Sequence, residues 1–87
     1  MLKIRYRPSF IRQYKKLPRA LQVEIREKIE VFRLNAHNST LRTHKLKGRL
    51  KGSLSFSVNY RYCIVFEYES AEIVALLAVG DHDIYDV

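Results

Sequence analysis

An 87-residue chain with 47% hydrophobic and 29% charged side chains fits one globular domain, expected over residues 1–87, and excludes a disordered or collagen-like chain. Its single cysteine, Cys63, excludes an internal disulfide framework and a multi-cysteine zinc site, and its longest apolar run, 73–79, falls far short of the roughly 20 residues that cross a bilayer. The net charge of +7 is unevenly placed: residues 1–52 carry +12 and residues 53–87 carry −5. That asymmetry suits a face for a polyanion, nucleic acid or ribosome first, against the plainer reading of a well-solvated surface. A soluble, cytoplasmic protein with no membrane partner is expected.

In chain order, Leu2, Ile4 and Tyr6 alternate with Lys3, Arg5 and Arg7, the period of a half-buried strand. Pro8-Ser9 breaks it, with Ser9 placed to cap a helix. Phe10, Tyr14 and Leu17 share one face of that helix, which Pro18 ends. Leu21, Ile25, Ile29 and Phe32 stripe a second helix, where Glu24 and Lys28 stand at i,i+4 as an ion pair, and Asn35 stops it. After the basic segment Leu41–Gly52 the period changes. Leu54, Phe56 and Val58 alternate with serines, Tyr60 to Glu69 alternates again, and Ile73–Val79 reads as a central strand apolar on both faces. Breaks near Asn59 and Ser70 fit antiparallel turns. The order β-α-α-β-β-β predicts an α+β fold, a two-helix hairpin on one face of a four-stranded, mainly antiparallel sheet.

Three features carry possible chemistry. Arg42, Lys45, Lys47, Arg49 and Lys51 fall within ten residues that hold no acid, and Gly48 and Gly52 would permit close approach to a nucleic-acid backbone. Arg61, sole cation of the last 35 residues, would lie on a strand face away from the helices. There its guanidinium could fork onto a phosphate, or pair with Glu67 instead. His82, between Asp81 and Asp83, suits general acid–base work, and Tyr85 offers a ring or hydroxyl nearby; a plain C-terminal histidine is the alternative. No third ligand accompanies His82, so no metal and no cofactor are expected. Cys63 reads as a small buried residue rather than a nucleophile.

Over nearly all its length the chain resembles the RelE/ParE superfamily of type II toxins, nearest to the RelE/StbE-like, plasmid-stabilisation branch. The specific part is His44-Lys-Leu-Lys-Gly48, Asn59-Tyr-Arg-Tyr62 and Gly80-Asp-His-Asp-Ile-Tyr85. The resemblance implies a ribosome-dependent mRNA endonuclease that uses no metal, the substrate's own 2′-hydroxyl attacking the adjacent phosphate. It implies a cognate antitoxin, the ribosome and mRNA as partners, with operator DNA met only through the antitoxin. By the same resemblance Arg61 matches the arginine that stabilises the scissile phosphate, and His82 the C-terminal acid–base histidine of the YoeB- and YafQ-like branches. Tyr85 falls near their aromatic, and His44 matches a loop histidine of the YafQ-like branch. Arg42, Lys45, Lys47, Arg49 and Lys51 would grip RNA. YoeB-like enzymes place a glutamate base in the loop region, where this chain has no acidic residue from Phe32 to Arg61. His44 or His82 would therefore serve as base. A ParE-like gyrase inhibitor without nuclease activity, or an inactive antitoxin-binding remnant, would share the fold.

Overall fold

The computed structural model describes residues 1–81, apart from the side chain of Arg49. Strand β1 (Lys3–Tyr6) leads into helices α1 (Pro8–Lys15) and α2 (Arg19–Leu34). Strands β2 (His44–Lys45), β3 (Leu54–Ser57), β4 (Tyr62–Tyr68) and β5 (Ile73–Asp81) follow, with single 3-10 turns at Ser39–Leu41 and Gly48–Leu50 flanking β2. Among the described residues the sheet has five strands in the order β1-β5-β4-β3-β2. β1 runs parallel to β5 and every other neighbour pair is antiparallel. The four expected strands are present, and the basic segment adds β2 at the edge, pairing His44 with Ser55.

The helical hairpin forms where the apolar spacing placed it. Ile25, Ile29 and Phe32 of α2 are buried with Phe10 of α1 against Phe56, Ile64, Phe66, Val74 and Leu76 of the sheet. At the centre the Phe32 ring stacks on Phe56 at 4.5 Å between centroids and meets the edge of Phe66 at 4.7 Å. Both are favourable offset or edge geometries for rings removed from water.

Helix α1 begins differently from the sequence expectation. Arg7 is the capping residue and Pro8 takes the first turn, where its missing N–H costs nothing. Ser9 is thereby pulled inside the helix, and its hydroxyl donates instead to the Leu77 carbonyl of β5 at 2.6 Å. The register explains why that carbonyl is available. Val65 pairs with Ala78 but Phe66 pairs with Leu76, so Leu77 is an extra residue, a β-bulge. β1 stops pairing at Tyr6 opposite Leu76. Beyond it, Gln13 of α1 accepts the Val79 N–H at 2.9 Å. Two helix side chains thus satisfy the stretch of β5 that β1 does not reach.

The face away from the helices is less open than the alternation suggested. The register sets His44, Ser55, Val65 and Ala78 in one row and Ser57, Cys63 and Gly80 in the next. Ser55, Cys63, Val65 and Ala75 are all buried, their short side chains sunk between longer neighbours. At the far end Glu69 is held by Arg7 at 2.6 Å and Arg5 at 3.3 Å.

Candidate nucleic-acid interface

The β3–β4 connection organises the site. Asn59 folds its side chain back so that Oδ1 accepts the backbone N–H of Arg61 at 2.9 Å and of Tyr62 at 2.7 Å, an Asx-type turn. Its Nδ2 donates to Glu24 of α2 at 2.7 Å, bolting the hairpin tip to the helix. Glu24 therefore does not make the expected pair with Lys28; no ion pair joins them among the described residues. The turn takes in Arg61, which lies just before β4 rather than on it. It is exposed, not beneath the helices, and its guanidinium rests over the Tyr62 ring at 5.7 Å. Among the described residues no ion pair joins Arg61 to Glu67, the alternative partner the sequence offered. Replacing Asn59 with alanine should lower stability by about 1–3 kcal/mol, since two turn amides lose their acceptor. Asn59→Asp keeps the acceptor but faces Glu24 with a second carboxylate. Its loss of urea resistance should be largely recovered by Glu24→Gln, and no recovery would argue against the bolt.

Beside this tip lies a groove of about 510 Å³ between α2, the Ser39–Leu41 turn and β3. Lys28, Thr40, Arg42, His44, Ser57 and Tyr60 line it. Tyr60 is 94% exposed. Arg42 adopts a left-handed backbone, φ 50°, which an L-residue with a side chain takes at a cost and which recurs at functional sites. It turns the chain so that the Arg42 carbonyl lies 3.1 Å from His44 Nδ1. A carbonyl only accepts, so Nδ1 is the donor in this contact.

The basic segment is split. Arg42 and His44 face this groove, whereas Lys45, Lys47 and Lys51 line a neighbouring one of about 640 Å³ with Leu46, Ser53 and Leu54. Gly48 and Gly52 both have positive φ, 69° and 97°, and a Cβ at either would meet nothing within 4 Å. Both take the left-handed backbone that favours glycine and shapes the chain around the Gly48–Leu50 turn, with open space beside each. The Arg49 side chain, His82 and Tyr85 lie outside the described residues. Lys28 and Thr40 gave no signal in the sequence, because only tertiary packing brings them to His44. The alternation puts Tyr60 in a strand; the Asn59 turn takes it out of the strand and exposes it.

Residues 5–82 match the family model described as RelE-like toxin of type II toxin-antitoxin system HigB. The chain belongs to this family. The toxin's fold is also that of YafQ from E. coli strain BL21(DE3), at TM-score 0.78 and 12% identity over 97% of each chain. A YoeB/ParE toxin from Agrobacterium tumefaciens superposes at 0.74 with 15% identity, covering 93% of this chain and 99% of that one. The toxin of a YoeB-YefM complex from Staphylococcus aureus does so at 0.72 with 21% identity over 94% and 98%. No curated protein sequence matches significantly. Among the described residues of the toxin, no helix is long and apolar enough to cross a membrane, and no group of three or more His, Cys, Asp or Glu side chains converges as a metal site.

Proposed function

We propose that the toxin is a ribosome-dependent mRNA endonuclease, and that a cognate antitoxin neutralises it by covering the basic face. The observation that supports this reading is the groove that brings His44, Arg42 and Tyr60 together beside the turn holding Arg61. The step needs little from the protein. The 2′-oxygen attacks the adjacent phosphorus, its proton passing to a base, and the P–O5′ bond breaks as the 5′-oxygen takes a proton from an acid. The products are a 2′,3′-cyclic phosphate and a free 5′-hydroxyl, so the nucleophile is the substrate's own and no metal is required to generate it. His44 Nε2 is assigned as base, with His82 the acid or its alternate, and Tyr85 beside it. Arg61 neutralises charge that grows on the phosphate oxygens. Lys45, Lys47, Arg49 and Lys51 hold RNA of the message or ribosome through its phosphates.

The test is induction of the toxin with primer extension on a translated and an untranslatable reporter, run beside a gyrase supercoiling assay. New 5′ ends confined to the translated message are expected. Intact transcripts with inhibited supercoiling would replace this reading with gyrase inhibition.

A further inference from the structure

We propose that the groove between α2 and the β3–β4 tip is a nucleotide subsite for single-stranded RNA, in which a base stacks on Tyr60 and the adjoining phosphate lies between Lys28 and Arg42. The proposal rests on the reading of the toxin as an RNA-directed protein, but not on its catalysing cleavage. Three elements distant in sequence supply the lining: α2 gives Lys28, the connection to β2 gives Thr40 and Arg42, and the hairpin gives Ser57 and Tyr60. Its volume of about 510 Å³ falls within the roughly 300–1,000 Å³ of small-ligand sites.

The chemistry of the walls selects the occupant. A tyrosine ring 94% exposed, at a turn that Asn59 closes through the Arg61 and Tyr62 amides, offers its face as a platform. Stacking on such a ring tolerates any base. Cations on two sides of the groove answer the phosphate. The Thr40 hydroxyl donates to Asn38 Oδ1 at 2.6 Å, so towards the groove its oxygen is an acceptor for a ribose hydroxyl or a base N–H. An acidic peptide would want apolar sockets for its side chains, and here Val58 is the aliphatic contribution. The toxin does have such sockets elsewhere, in the shallow groove of about 320 Å³ between Tyr6, Phe10, Ile11, Tyr14 and Ile29, which makes the polar groove the poorer peptide site.

The test uses fluorescein-labelled rA6 and the whole toxin, without ribosomes, by anisotropy across a salt series. Tyr60→Ala should weaken binding by about five- to 150-fold, the range for loss of one stacked base, with the salt slope unchanged. Tyr60→Phe should bind like wild type. Lys28→Gln should weaken binding and reduce the salt slope by about 0.7, the loss of one single-strand phosphate contact. Wild-type affinity and slope in both Tyr60→Ala and Lys28→Gln would overturn the proposal. So would variants that keep rA6 but lose a glutamate-rich peptide, which would make the groove a peptide site. Cleavage on programmed ribosomes, measured in parallel, separates this inference from the nuclease reading. A toxin that binds rA6 through Tyr60 yet cuts no message loses only the second; one that cuts while its groove variants bind normally loses only the first.

Discussion

Arg61→Ala should slow single-turnover cleavage of message on programmed ribosomes by about 10²–10³-fold, the usual consequence of deleting one donor aimed at developing negative charge. The reason is timing. Charge accumulates on the phosphate oxygens only as the 2′-oxygen attacks, so a guanidinium there acts on the transition state more than on the bound ground state. Ribosome affinity should stay close to wild type. Arg61→Lys should recover little, because an ammonium retains the charge and loses the two parallel donors. Arg61 is exposed and its main contact is the Tyr62 ring at 5.7 Å, so neither variant should change stability by more than about 1 kcal/mol. Cleavage by Arg61→Ala at the wild-type rate would remove this residue from the chemistry.

The opposite behaviour is expected of Phe32→Ala. The ring is fully buried, stacked on Phe56 and edge-on to Phe66, where helix and sheet meet. Truncation loses the transfer free energy of the ring and opens a void that packed neighbours fill only in part, costing about 3–5 kcal/mol. Against a total of roughly 5–15 kcal/mol that is a large share. For a domain of this size each 1 kcal/mol moves Tm by about 4–8 °C. Urea unfolding should show a lowered midpoint with an unchanged slope. A midpoint near wild type would mean that the three-ring contact is not the centre of the core.

These two residues also mark what the sequence could and could not disclose. Phe32 was legible because α2 repeats its apolar positions over four turns, and a long period averages out local exceptions. Strands β3 to β5 were legible for the same reason. The two-residue β2 carries no period at all and exists through its pairing with Leu54 and Ser55. Arg61 was displaced from strand to turn because alternation continues formally through Asn59–Tyr62, whereas the Asn59 side chain captures the two following amides and ends the extended run. Ser9 looked like a cap, but Pro8 fixes the helix start two residues earlier, with Arg7 at the cap. Glu24 and Lys28 had the spacing of a pair, yet the half-buried Asn59 side-chain amide of another element takes the carboxylate. The groove itself was out of reach, since Lys28, Thr40 and Tyr60 belong to three segments that share no pattern.

The parallel pairing of β1 with β5 bears on how a ribosome makes this protein. Lys3 finds its partner at Ile73, so the first strand waits, unpaired, until almost all of the described chain has been synthesised. The helical hairpin needs only local contacts and can form early, as can the antiparallel β2–β3–β4 pairings, but the parallel edge of β1 with β5 closes last. Synthesis at about 5–20 residues per second leaves an interval of seconds in which a nascent chain has its helices but not its completed sheet. Chains stalled at increasing lengths should therefore resist proteolysis at α1 and α2 well before β1 is protected, and protection of β1 before residue 73 has emerged would contradict this order. The strand of the toxin that is made first is thus the last to find its partner.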